Sequence, residues 1–255
     1  MSRRVVGRGH EFNESRGPSA GSASPTPYVG GMTTTTLVPP LVVRLKPRLR
    51  GVSHQIACGI ALVAGLVLVS QVAPGAARVT AIVYTLCLTA LFGFSAAYHR
   101  PHWSPKARSR MERLDHAGIY LLIAGTYTPI SLALPPAQGN ILRAVAWTGA
   151  LVGTLQSTFW MSASKPLVAA IYVALGWAVL PFLGSLYHGA GPGPLALLLG
   201  GGVVYSLGAV VYARKRPDPV PTVFGYHEVF HAMVVLAAVI HFGAVVLVLR
   251  NFPRG

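Results

Sequence analysis

Long apolar runs alternate along this chain with short breaks that carry arginine, lysine, proline or glycine. Seven runs approach the roughly 20 residues that a helix needs to cross a bilayer. They cover about 54–72, 79–98, 115–134, 141–161, 166–187, 195–213 and 226–249. The fourth is interrupted by Thr154, Gln156, Ser157 and Thr158, with Trp147 and Trp160 placed as interfacial anchors near its ends. Pro129 and Pro181 fall inside runs, where a membrane tolerates them and they kink the helix. The trio Gly200, Gly201 and Gly202 and the pair Gly149 and Gly153 would let helices approach closely. The expected fold is an all-α integral membrane protein, a seven-transmembrane helix bundle over 46–255. The tail ahead of this domain spans 1–45, and its first thirty-one residues, rich in Gly, Ser, Pro and Arg, have no apolar period and no signal-peptide core. The tail is expected to be disordered and basic.

Composition narrows this further. The chain is 53% hydrophobic and 11% charged, against about a quarter charged in soluble domains. Six acidic residues cannot coat a soluble protein of 255 residues. A net charge of +15 raises the question of nucleic acid, but the basic residues sit in loops between apolar runs and form no folded basic face. No nucleic-acid partner is expected. The loops instead fix an orientation. Thirteen Lys and Arg, from Arg44 to Arg216, lie on the side of the N-terminus, against Arg78, Arg143, Arg250 and Arg254 on the other. The positive-inside rule then places the N-terminus in the cytosol and the C-terminus outside. Cys58 and Cys87 each lie within an apolar run, without the paired spacing of a disulfide framework or thiolate metal site.

Ionisable residues at membrane depth are costly and mark candidate function. In this topology the second run ends on the cytosolic side with Ser95 and His99. The third begins there with Asp115 and His116, and the seventh with His227 and His231. His227 and His231 are four apart, hence on one helix face and able to chelate one ion. Three imidazoles with an open fourth position form the ligand set of a catalytic zinc. Imidazole nitrogen suits zinc better than magnesium or calcium. His102 competes with His99, but follows Pro101 in a basic loop. Asp115 is a candidate base, a ligand orienter or a helix cap. Ser95 could fix a ligand, bind a substrate oxygen or bond its own backbone.

The stretch from His227 to His231 also spells H-E-x-x-H, the zinc protease signature, with Glu228 in the place of the general base. A protease needs a later ligand, and the only downstream candidate is His241. On a helix it lies about 280° round and about 15 Å along from His231. The third ligand must come from upstream, which points away from a protease. His54, His188 and His241 read as interfacial or packing residues.

Taken in order, S-x-x-x-H at Ser95 and His99, R-L-D-H-A-G-I around Asp115 and H-x-x-x-H at His227 and His231 resemble the bacterial hemolysin III proteins. These belong with the progestin and adiponectin receptors, in a superfamily that also holds alkaline ceramidases. The resemblance runs from about Pro47 to the end of the chain. It implies a multi-pass protein of the bacterial inner membrane, with zinc held by His99, His227 and His231 and with Asp115 and Ser95 beside it. For function it implies membrane lipids as partners and hydrolysis of a ceramide-like or other acyl lipid, with Asp115 and Ser95 as the catalytic candidates. Two other classes stand beside that expectation: a zinc-stabilised receptor or membrane-state sensor, and a pore. The pore has little support, because the run interiors carry almost no charge to line an ion path.

Overall fold

The computed structural model describes residues 46–160 and 163–252. The tail expected over 1–45 lies outside the described residues. Among these there are eight α-helices and no strand: α1 Val52–Gln71, α2 Ala76–His99, α3 Pro105–Ile130, α4 Pro136–Phe159, α5 Lys165–Gly176, α6 Leu183–Ala190, α7 Pro192–Arg214 and α8 Tyr226–Asn251. By length and composition, five segments could cross a membrane: Val52–Gln71, Ala76–His99, Pro166–Ala190, Pro192–Arg214 and Tyr226–Asn251. The helices α3 and α4 are more polar. Arg113, Asp115 and His116 enter the apolar part of α3, and Arg143 and Gln156 that of α4.

The helices α1 to α4 pack antiparallel in succession, as do α7 and α8, and small residues set how close they come. A Cβ on Gly65 of α1 would meet the Thr85 side chain of α2 at 2.2 Å, and one on Gly125 of α3 would meet Cys87 of α2 at 2.5 Å. Gly153 of α4 lies against the Tyr120 ring of α3, and Gly201 of α7 against the His241 ring of α8, with no room for a methyl group. Lipid supplies no hydrophobic drive between helices, so close van der Waals contact of this kind is what holds such a bundle together. The pair Gly149 and Gly153 meets the expectation of close approach, against Leu175 and Tyr120. Of the trio, only Gly201 is pressed in this way, since Gly200 faces open space.

Three helix boundaries differ from the apolar runs. The helix α3 begins ten residues before Asp115, with Pro105 at its first position and the Ser104 hydroxyl accepting from the Ala107 N–H. Asp115 therefore lies in the third turn and cannot cap the helix. The helix α4 begins at Pro136, which places Trp147 mid-helix, where its indole N–H donates to Thr128 Oγ1 at 3.1 Å. Trp147 is thus a contact between α3 and α4 rather than an end anchor. The fifth run breaks after Gly176 into a 3-10 turn, Leu180–Phe182, that carries Pro181. The kink expected at that proline is present.

Candidate metal centre

The site is assembled at the end of the bundle where α2 finishes and where α1, α3 and α8 begin. His99 is the last residue of α2. His227 and His231 occupy the first two turns of α8, whose start is held by two carboxylates. Asp218 Oδ1 accepts from the Tyr226 N–H, and Glu228 Oε2 from the Gly225 N–H, each at 2.8 Å. The second is a capping-box contact, which satisfies a backbone donor that the helix itself leaves unpaired. The other oxygen of Glu228 receives the Nε–H of Arg50. Glu228 is buried, capped and ion-paired, and it does not line the cavity described below. Both of its oxygens are engaged, so H-E-x-x-H here places a helix-start contact on one side and the clustered His227 and His231 on the other.

His99, His227 and His231 converge, with one ring nitrogen from each within 4.8 Å of the others. His99 Nε2 and His227 Nε2 are 3.2 Å apart. Two nitrogens on one tetrahedral zinc, at about 2.0–2.1 Å each, would be roughly 3.3 Å apart. His231 Nδ1 is buried with no hydrogen-bond partner. Three clustered imidazoles inside a bundle, two of them at the spacing of shared ligands, could hold a metal ion that favours nitrogen ligands.

Asp115 Oδ2 lies 3.5 Å from His99 Nε2, the same nitrogen that faces His227. The carboxylate therefore looks onto the ligand side of the cluster, and not onto the back of the His99 ring as a simple orienter would. Ser95, one turn before His99 and buried, faces the same carboxylate. His102 is exposed and outside the cluster. His188 is exposed as well, and His241 Nε2 sits 2.9 Å from the Leu198 carbonyl, deep between α7 and α8.

Two further residues at the start of α1, His54 within it and Arg50 just before it, were not among the candidates the sequence offered. His54, read there as a packing residue, is 2% exposed, and its ring lies flat on that of His231. Arg50, one turn earlier, holds Glu228. Nothing in the local sequence marks either one, because their partners lie some 177 positions downstream.

A cavity of about 260 Å³ opens onto the three histidines, Asp115 and Ser95. A second, almost wholly apolar cavity of about 100 Å³ lies deeper among α3, α5, α7 and α8. The two share walls at Leu91, Ile119, Tyr172, Ala209, Phe230 and Val234. The mouth is basic. Arg108 lies over the Tyr98 ring, and Lys46 donates to the Arg100 carbonyl at 3.0 Å. Burial, followed by the nearby Arg100, Arg108 and Arg50, holds the Lys46 ammonium below the usual lysine range.

The chain is 32% identical over 169 residues to Hemolysin-3 of Bacillus cereus, covering 65% of this chain and 77% of that protein. It is 32% identical over 131 residues to a Hemolysin-3 homolog of Bacillus subtilis (strain 168), covering 51% and 59%. It is 34% identical over 154 residues to Heptahelical transmembrane protein ADIPOR2 of Oryza sativa subsp. japonica, covering 54% and 67%. The family model described as Haemolysin-III related matches residues 43–242. With its apolar helices and this match, the chain belongs to the haemolysin-III related family and is a multi-pass protein of the cell membrane.

Proposed function

We propose that the protein is a zinc-dependent hydrolase of an amide- or ester-linked lipid, working at the cytosolic end of a seven-span bundle whose N-terminus is cytosolic. The observation that carries this reading is the shared wall between the histidine cavity and the apolar cavity. A lipid with its carbonyl at the histidines would lay its chain along Leu91, Ile119 and Phe230. His99, His227 and His231 would hold the ion. When bound, zinc supplies Lewis acidity towards a carbonyl and a nucleophile at neutral pH. Asp115, on the ligand side of the cluster, takes the proton from the attacking water and returns it to the leaving nitrogen or oxygen. Ser95 holds the carboxylate in place. The seven-span count is supported by α3 and α4, which run antiparallel to their neighbours like the five more apolar segments, and by the printed name of the heptahelical relative.

One observation favours the second reading, a receptor or membrane-state sensor in which zinc clamps the bundle. The ligands come from two different helices, α2 and α8, so bound metal would fasten one to the other. Purified protein offered ceramide and simpler N-acyl lipids separates the two. The hydrolase reading expects turnover by wild type, and a loss of at least about 100-fold in Asp115→Ala with zinc retained. In His231→Ala it expects turnover and zinc lost together, with helicity intact. Zinc retained without turnover by any of the three proteins would replace the hydrolase with the clamp.

A further inference from the structure

The start of α1 packs directly against His99 and His231. Gly51, just before the helix, has φ +78°, and a Cβ there would come within 2.7 Å of the His99 Cβ. Only glycine suits both the left-handed backbone and the space. It lets the chain pass close beside His99 and brings Arg50, just before the helix, and His54, in its first turn, against Glu228 and His231, three apart on α8.

The contact between His54 and His231 is unusually well defined. The two rings are stacked with centroids 3.8 Å apart and planes 10° apart. Behind His54 the Phe92 ring meets it edge-on at 5.1 Å. His54 is thus wedged between an aromatic edge and a ligand face. It cannot be a fourth ligand to the same ion. Lone pairs lie in the ring plane, and an ion about 2.0–2.1 Å from a nitrogen in the His231 plane stays beyond bonding distance of a parallel ring stacked above. Neither ring nitrogen of His54 makes a hydrogen bond of normal geometry. What it offers His231 is its face.

We propose that His54 is a positioning residue of the metal centre, whose ring face holds the His231 imidazole in its coordinating orientation; this rests on the metal-centre reading above. An imidazole bound to a cation becomes electron-poor, and a neutral π face stacked on it is attractive. A ligand ring that is already held also loses less freedom when metal binds.

The test compares His54→Phe with His54→Leu in the full-length protein. Both remove the nitrogens and fill the space, but only Phe keeps a flat face. Zinc affinity is read by competition with a chromogenic chelator, and ligand geometry by the visible d–d absorption of the cobalt-substituted protein. The expected result is an affinity about tenfold or more weaker in His54→Leu with a shifted cobalt spectrum. His54→Phe should stay within about threefold of wild type, with the wild-type spectrum. Equal loss in both variants, or loss in neither, overturns the role of His54. Wild-type protein that takes up neither metal removes the centre itself, a different and separately visible failure.

Discussion

Glu228 has the position of a protease base in the sequence and the surroundings of a helix cap in the structure. Its two oxygens are committed to the Gly225 N–H and to Arg50. Glu228→Gln should keep the capping contact, because a glutamine carbonyl accepts equally well. It should also leave Arg50 unpaired, lowering stability by about 2 kcal/mol, discounted from a fully buried pair because Arg50 is partly exposed. A lower unfolding midpoint with metal content unchanged is the expected outcome; full stability with the metal lost would return Glu228 to the site. The residue scale also explains what the sequence could and could not reveal. His227 and His231 were legible because spacing alone puts them on one face, and His99 because a span end delivers it to the same depth. His54 was not, since a lone histidine near the end of an apolar run reads as packing until its neighbour across the bundle is known.

At the scale of elements, five of the seven apolar runs fall on segments long and apolar enough to cross a membrane, but the runs do not mark where the helices start. A run begins where lipid begins, whereas a helix begins where its backbone is capped. In α3 the Ser104–Pro105 start lies ten residues ahead of the apolar boundary, so Asp115 is an interior helical residue with a fixed direction. In α4 the early start at Pro136 moves Trp147 from an edge to a contact. The packing of these two helices gives a paired prediction. A Cβ on Gly153 would lie 2.3 Å from the Tyr120 ring, so Gly153→Ala should destabilise by about 1–3 kcal/mol as α4 is pushed from α3. Gly59 of α1 has nothing within 4 Å, so Gly59→Ala should be neutral or stabilising by up to about 1 kcal/mol. Thermal unfolding in detergent measures both. Equal shifts in the two variants would mean that glycine spacing does not set the approach of these helices.

For the whole molecule, charge distinguishes the two ends of the bundle. Lys46, Arg48, Arg50, Arg100, Arg108, Arg214 and Lys215 gather at the end that holds the histidines, with only Arg78, Arg143 and Arg250 toward the other among the described residues. Basic loops are retained on the cytosolic side during insertion, so under the proposed topology the same charge would decide which leaflet reaches the histidine cluster. Under the proposed seven crossings, the loop after α2 and the turn after α6 would lie on opposite faces. Single cysteines in a background with Cys58 and Cys87 replaced by alanine make this measurable, because Arg110 and His188 are both exposed. Arg110→Cys should react with a membrane-impermeant maleimide in inside-out vesicles and not in intact spheroplasts, and His188→Cys should do the reverse. Both sites labelled from one face would contradict seven crossings. The two labels exchanged would keep the crossings but turn the histidine cavity to the outer leaflet, and a lipid of the outer leaflet would then have to be the one presented to Asp115.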